Sequence, residues 1–311
     1  MRVLITGAGG FLGGALARRL AARADIELVP WSREPLAAFP QGRAVDLMNS
    51  HGVAFAMRDD APDIVVHAAG GAAFPTRRRV VYLDGQVMAN VAAAVGFFAS
   101  HARLLLLSSA AQYGVSERRS PWREIDPCAP IGRYAETKDR AERSALHEAR
   151  RAGFAVTALR LFNVVAPEPH GRQVFDTFLR KAAAVTAEPP PWRVRMGPLG
   201  AVRDFVAVDD VLGVIERVIE REVWGETINV CTGVGRTVRE LLEATATHLP
   251  GELAIEEDDG PAGLDWSVGD PSRCEALLGF RPSSDLGPVL RGAADWIVAA
   301  AKGGVDARSD A

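Results

Sequence analysis

The stretch Arg2-Val3-Leu4-Ile5-Thr6-Gly7-Ala8-Gly9-Gly10-Phe11-Leu12-Gly13 decides the fold. Its first five residues read as a short buried strand. Gly7, Gly10 and Gly13 follow in GxxGxxG spacing, and Leu12, Leu16 and Leu20 recur every fourth residue, which predicts a helix from Phe11 to Ala22. A strand, a glycine turn and a helix in that order suit a dinucleotide. The first glycine allows the tight turn, the second lets a pyrophosphate approach the backbone, and the third lets the helix pack on the strand. The helix N-terminus, with Phe11 and Leu12, then faces the phosphates.

Outward from that turn the pattern alternates. Strands are expected at Ile26–Pro30, Ala44–Asp46, Asp63–His67, the leucine-rich Arg103–Leu107 and Ala155–Leu161, with helices at Gln86–Ser100 and Arg133–Arg151. This alternation predicts an α/β doubly wound parallel sheet, the Rossmann arrangement. Past residue 165 prolines cluster and elements shorten; a helix at Asp209–Glu220, a strand at Thr227–Val230, and helices at Val238–Thr247 and within Asp285–Ala301 are expected. The division that follows is a dinucleotide-binding domain over 1–165 plus 204–233, and a smaller, partly interleaved substrate domain over 166–203 plus 234–302. The small, polar stretch 303–311 reads as a flexible tail. The acidic run Glu256-Glu257-Asp258-Asp259 reads as a solvated loop.

Composition narrows the function classes. Of 311 residues 48% are hydrophobic and 24% charged, which leaves ample material for a core and excludes general disorder. Lys and Arg number 36 against 39 Asp and Glu, so a net charge of −3 exerts no overall pull on nucleic acid or an anionic membrane. No apolar run approaches the roughly 18 residues of a membrane span. Val3-Leu4-Ile5 is too short for the core of an export signal. Cys128, Cys231 and Cys274 form no CxxC pair and read as reduced thiols. A soluble, cytoplasmic protein is expected, with a small-molecule substrate.

The second strand end chooses the dinucleotide. Val29-Pro30-Trp31-Ser32-Arg33 carries no acid to hold a ribose 2′-OH, whereas Ser32 and Arg33 suit a 2′-phosphate, so NADP(H) is preferred. Glu34 in the acid's role would leave NAD(H) open. Asp46, followed by Leu47, is placed to accept from an adenine amino group. Tyr134 and Lys138 stand at i, i+4 on a predicted helix, one turn apart on one face. A phenol is a poor acid/base at neutral pH until a neighbouring cation lowers its pKa. Ser108-Ser109 ends the central strand 25 residues earlier.

Together Gly7/Gly10/Gly13, His67-Ala68-Ala69, Ser108 to Gly114, Tyr134-x-x-x-Lys138, Arg160-Leu161-Phe162-Asn163, Arg203-Asp204-Phe205, Asn229-Val230-Cys231 and Leu277 to Pro282 resemble an extended short-chain dehydrogenase/reductase, over about residues 1 to 295. The resemblance is to the sugar-nucleotide epimerase/dehydratase family, and within it to GDP-4-keto-6-deoxymannose reductases and related 4-ketoreductases. It implies Ser109, Tyr134 and Lys138 as catalytic residues: Tyr134 donating a proton to a substrate carbonyl oxygen, Ser109 hydrogen-bonding that oxygen, Lys138 tuning Tyr134. It implies Ala68 and Ala69 along the cofactor, Asn163 and Arg203 on the substrate diphosphate, Asn90 as a structural residue or a helper of the catalytic helix, and a homodimer.

Departures narrow the chemistry. Dehydratases of the group carry Asp-Glu just after the active-site hydroxyl and decarboxylases a Glu; here Ala110-Ala111 offers neither acid nor base for elimination. A reductase, an epimerase recycling NAD, or an idle dinucleotide-binding sensor remains. Gln112 has no account from sequence. Arg77-Arg78-Arg79 follows the fourth strand, either as a phosphate attractor or as a solvated loop.

Overall fold

The computed structural model describes residues 1–70, 80–171, 173–259 and 265–303. In chain order its elements are β1 (Arg2–Thr6), α1 (Phe11–Ala21), β2 (Glu27–Ser32), β3 (Arg43–Ala44), α2 (Ser50–Asp60), β4 (Ile64–His67), α3 (Val80–Phe98), β5 (Arg103–Ser109), α4 (Arg133–Ala152), β6 (Val156–Leu161), β7 (Asn163–Val165), α5 (Val174–Thr186), β8 (Trp192–Met196), β9 (Val202–Ala207), α6 (Val208–Glu220), β10 (Thr227–Val230), β11 (Gly235–Thr237), α7 (Val238–Ala246), β12 (Leu253–Glu257), β13 (Trp266–Ser267), α8 (Ser272–Leu278) and α9 (Gly287–Ala301). A short 3-10 turn, Ala110–Tyr113, follows β5.

Seven strands form one sheet in the order β10-β6-β5-β4-β1-β2-β3. Every pairing in it is parallel. The order reverses between β1 and β4, which opens a crevice at their carboxyl ends. Both faces are buried, which is why the central strands are apolar without alternation. Val3, Ile5, Val66, Leu105 and Leu107 pack on one face with Leu16, Leu20, Val214 and Ile215. Leu4, Val65, Leu104 and Leu106 pack on the other with Met88, Val91, Val95 and Ala145. A third core gathers Phe175, Phe178 and Leu179 of α5, Leu241 and Leu242 of α7, and Leu290 and Ile297 of α9. Around it β7, β11 and β13 pair with β9, and β12 with β8.

The expected alternation holds, with corrections. The third strand is Arg43–Ala44 rather than Ala44–Asp46, and α3 begins at Val80 rather than Gln86. The acidic run is not simply a solvated loop. Glu256 and Glu257 lie in β12, beside β8, where Glu256 pairs with Arg193 at 2.7 Å and Arg195 at 3.1 Å. Glu257 pairs with Arg239 and accepts the Leu199 N–H at 2.8 Å. Opposite charges across a strand pair favour that register. All three cysteines are free thiols, and burial pushes Cys274 up to about 12. No described helix is long and apolar enough to cross a membrane. Arg77-Arg78-Arg79 and residues 304–311 of the tail lie outside the described residues.

Candidate active site

The three glycines of the first turn do different work. Gly7 has φ +72°, and a Cβ there would sit 2.7 Å from Ala69 N, so the Ala68-Ala69 backbone passes directly against the turn. A Cβ on Gly13 would lie 2.2 Å from the Gly7 carbonyl oxygen. That contact is impossible, so helix and strand meet closely only because residue 13 is glycine. Gly10 is the N-cap of α1 in extended conformation, and no side chain caps the helix. The first-turn N–H groups at Phe11, Leu12 and Gly13 are thus left to an outside acceptor, as an anionic ligand requires. The cradle fits a dinucleotide diphosphate.

The β2 end lies alongside: a Cβ on Gly9 would be 3.9 Å from Ser32 Cβ and 3.1 Å from Leu36. The Ser32 hydroxyl donates to the Glu34 carbonyl, which holds this loop, while Arg33 is exposed. Asp46 Oδ1 accepts the Met48 N–H at 3.0 Å and shapes the next turn. Asn90 of α3 is buried and donates to the Leu47 carbonyl at 2.9 Å, with its own oxygen receiving Gln86 Nε2 at 2.9 Å. Asn90 therefore fixes the loop that carries Asp46 and Leu47.

Ser109 ends β5 and is buried. Its Oγ accepts the Ala111 N–H at 3.2 Å, so its own O–H remains a donor. Tyr134 and Lys138 stand in the first turns of α4, Tyr134 with 42% of its surface exposed. Lys138 Nζ donates to the Leu107 carbonyl at 3.4 Å, two residues before Ser109. That bond draws the lysine's face of α4 to the end of β5. The helix begins there because Gly132, at φ +85°, turns the chain into it.

A buried polar network lies behind this pair. Glu142, one further turn along α4, accepts Ser108 Oγ at 2.6 Å, Gln112 Nε2 at 2.7 Å and Arg160 Nη2 at 2.7 Å. Gln112 thereby gains the account that sequence withheld. Burial alone would raise the Glu142 carboxyl, but the Arg160 guanidinium with Gln112 and Ser108 holds it below the usual range. Arg160 also donates to Tyr113 Oη at 2.9 Å, and Tyr113 donates to Asn229 Oδ1 at 2.7 Å. The Asn229 backbone N–H reaches Glu124 and its side-chain amide the Trp122 carbonyl. The Arg160 and Asn229 motifs thus bind β5, β6, β10 and α4 together.

On the other side, Ser109 is in register with Leu161, and Asn163 follows two residues on. Asn163 Nδ2 donates to the Asp204 carbonyl at 3.2 Å. Arg203 is half-buried and donates to the Val202 carbonyl at 2.9 Å. The Asp204 carboxylate is fully buried and accepts from Thr232 N and Oγ1, Gly233 N and Gly269 N, a structural anchor.

The structure adds Asp84, which sequence reasoning missed. Its Oδ2 is buried without a partner among the described residues. A Cβ on Gly70 would lie 3.2 Å from that oxygen. Burial raises this carboxyl and Lys138 lowers it. The available signal was a lone acid in the apolar stretch Val80 to Val95. Glu142 was legible too, four residues beyond Lys138 on the same face.

Comparison with known proteins places this geometry. The model of the NAD dependent epimerase/dehydratase family matches residues 3–231. The chain is 28% identical over 298 residues to dTDP-6-deoxy-L-talose 4-dehydrogenase (NAD(P)(+)) of Kitasatospora kifunensis, covering 93% of each. It is 28% identical over 306 residues to GDP-6-deoxy-D-mannose reductase of Pseudomonas aeruginosa, covering 95% of this chain and 97% of that one. Among solved structures, RMD from Pseudomonas aeruginosa complexed with NADPH superposes with a TM-score of 0.84 at 26% identity, over 96% and 99% of the two chains. UDP-glucose 4-epimerase of Thermus thermophilus in complex with NAD gives 0.81 at 26% over the same shares. A parallel sheet with its switch point at the glycine turn, a Tyr-Lys pair anchored to the central strand, and a family model spanning both agree: the chain belongs to the NAD dependent epimerase/dehydratase family.

Proposed function

We propose that this chain is a 4-ketoreductase of a nucleotide-activated deoxysugar, using NADPH in preference to NADH. The observation that carries the reading is the Lys138–Leu107 bond, which ties α4, the helix that bears Tyr134, to β5 two residues before Ser109. The two curated relatives reported above are a 4-dehydrogenase and a reductase of 6-deoxysugar nucleotides, which supports the substrate class. Bound NADPH supplies the hydride.

The chain's own groups do the rest. Ser109 gives the spare O–H to the ketone oxygen, a donor already oriented by the Ala111 bond. Tyr134 donates its phenol proton to the same oxygen as negative charge develops there. Lys138, beside it, stabilises the resulting tyrosinate and holds the nicotinamide ribose. Asn163 and Arg203 bind the sugar's diphosphate, for which an arginine fork is suited. Arg33, exposed at the end of β2, meets the 2′-phosphate. Residues 1–165 with 204–233 hold the dinucleotide, and 166–203 with 234–302 hold the sugar nucleotide; the separate third core supports that division. Ala110-Ala111 offers no acid directly after Ser109 for elimination, which supports a redox step without loss of water.

The test is a 4-keto-6-deoxysugar nucleotide offered with NADPH or NADH. Stoichiometric loss of absorbance at the nicotinamide band, faster with NADPH, is expected. A nucleotide sugar with a free 4-hydroxyl tests the second reading, an epimerase, which the likeness to the NAD-bound epimerase supports: the C4 epimer forming with no net change at the nicotinamide band would establish it. The homodimer implied by family resemblance is checked by sedimentation.

A further inference from the structure

Two consecutive residues after β4 join the dinucleotide turn to helix α3. A Cβ on Gly7 would sit 2.7 Å from Ala69 N and Cα, so the turn presses on Ala69 from one side. The next residue, Gly70, presses on Asp84 of α3: a Cβ there would lie 3.2 Å from Oδ2, 3.3 Å from Cγ and 3.5 Å from Oδ1. Three such similar distances mean that the carboxylate lies face-on to Gly70. Gly70 is exposed and has φ +114°, a conformation that suits glycine, and any side chain there would stand directly on the carboxylate. Asp84 is thus one residue removed from the anion cradle.

The catalytic helix approaches from the other side. A Cβ on Gly85 would lie 3.5 Å from Arg140 Cβ, so α3 and α4 meet closely beside Asp84. Lys138 of α4 is the charged group that acts on the carboxyl, against the larger effect of burial. Its ammonium makes one bond among the described residues, to the Leu107 carbonyl, and has further N–H groups to give. Asp84 is half-buried, and its Oδ2 is closed off with no hydrogen-bond partner among the described residues. A buried carboxylate oxygen without a donor costs the empty fold stability. A carboxylate only accepts, and it repels a diphosphate, so the donor that suits it is a neutral hydroxyl. Between the glycine turn and Lys138 a dinucleotide offers such hydroxyls on the ribose of its nicotinamide half.

We propose that Asp84 is a cofactor-binding residue: its carboxylate accepts a hydroxyl hydrogen of the nicotinamide ribose and, with Lys138, holds that ribose from two sides. This rests on the dinucleotide reading of the glycine turn and on the role given to Lys138. The ribose is common to NADPH and NADH, so Asp84 strengthens both alike and takes no part in choosing between them. The empty protein bears the cost of the unbonded acid, and the bound cofactor relieves it.

The experiment measures dissociation constants by titration calorimetry at neutral pH on the full chain, for the native protein, Asp84→Ala and Asp84→Asn. The ligands are NADPH, NADH, 2′,5′-ADP and UDP-glucose. Alanine removes the acceptor; asparagine keeps an uncharged one in nearly the same shape. Asp84→Ala should bind NADPH and NADH about ten- to hundredfold more weakly, the worth of a hydrogen bond to a charged group. Asp84→Asn should lie between it and the native protein. Neither should change the affinity for 2′,5′-ADP, which lacks the nicotinamide ribose. In urea, empty Asp84→Asn should be at least as stable as the native protein, since it sheds an unbonded charge, and NADPH should stabilise it less. Equal NADPH affinity in native protein and Asp84→Ala would overturn the proposal. So would an equal loss for 2′,5′-ADP, or a lower urea midpoint in empty Asp84→Asn, either of which would make the acid a support for the turn. If UDP-glucose binding weakens and NADPH binding does not, the carboxylate serves the substrate's sugar and the proposal fails. A folded native protein that binds neither NADPH nor 2′,5′-ADP would instead overturn the dinucleotide reading itself.

Discussion

Glu142 and Arg160 meet at 2.7 Å behind the end of β5, with 5% and 10% of their side chains exposed. The pair joins the helix bearing Tyr134 and Lys138 to the strand beside Ser109. Removing one partner of such a pair strands the other charge in the interior, at a cost of about 3–5 kcal/mol. Arg160→Met should lose that much stability in urea unfolding, and Glu142→Gln a comparable amount. The Glu142 carboxyl lies below its ordinary value in the folded chain, so its contribution is complete above the unfolded value of 4.5 and is lost as pH falls through the folded one. Native stability should drop steeply below pH 4.5, and the drop should be shallower in Glu142→Gln.

Tyr134 is exposed and Lys138 is tethered to Leu107, so the phenol can be removed without disturbing the fold. Tyr134→Phe should lower kcat by about 10²–10⁴, the usual worth of a placed general acid, while the NADPH dissociation constant stays close to native. Ser109→Ala removes the donor proposed for the ketone oxygen and should cost about 10²–10³ in kcat. Pre-steady-state absorbance at the nicotinamide band separates these losses from slow product release.

How much of this was legible follows from what each residue has to satisfy. Gly7, Gly10 and Gly13 announce their backbone demands in one dimension, and the apolar strands announce burial on both faces. The helix α2 was missed because its residues Ser50 to Asp60 are too polar on balance to show a stripe. The helix α5 was hidden by the prolines on both sides, although Phe175, Phe178, Leu179 and Ala182 do recur at helical spacing. The pairing of Glu142 with Arg160, of Tyr113 with Asn229 and of Phe11 with His170 depends on which elements become neighbours. No local pattern encodes that, and Asn90 was undecided for the same reason: its partner Leu47 is 43 residues away.

Gly13→Ala tests the turn itself. Its Cβ would lie 2.2 Å from the Gly7 carbonyl oxygen and 3.3 Å from Ala68 Cβ, contacts that only a shift of α1 can relieve. Overpacking of this kind costs about 1–3 kcal/mol, and here the shift also moves the N–H groups that would meet the diphosphate. Both the urea midpoint and NADPH affinity should fall. Gly10→Ala, whose Cβ would stand 3.3 Å from the same oxygen, should be milder in stability.

His67 supplies a prediction in a pH range that Glu142 does not reach. The ring is buried at the end of β4, and its Nδ1 shares a hydrogen bond with Thr6 Oγ1 at 2.8 Å. Thr6 Oγ1 also receives the Ala69 N–H at 3.4 Å, and in the tautomer whose Nδ1 accepts the Thr6 proton, protonation of the ring removes that acceptor. Burial, aided by the Lys138 charge, lowers His67 from 6.5 to about 3. The unfolded chain then binds the proton first: stability is full above about pH 6.5 and declines as pH falls, by roughly 2 kcal/mol at pH 5. Urea midpoints between pH 5 and 7 should therefore fall with acid in the native protein, well before Glu142 titrates. His67→Gln, which offers Thr6 an acceptor that takes up no proton in this range, should flatten that limb even if its stability at pH 7 is lower. An unchanged slope would mean that His67 reaches solvent and is not held neutral beside Lys138.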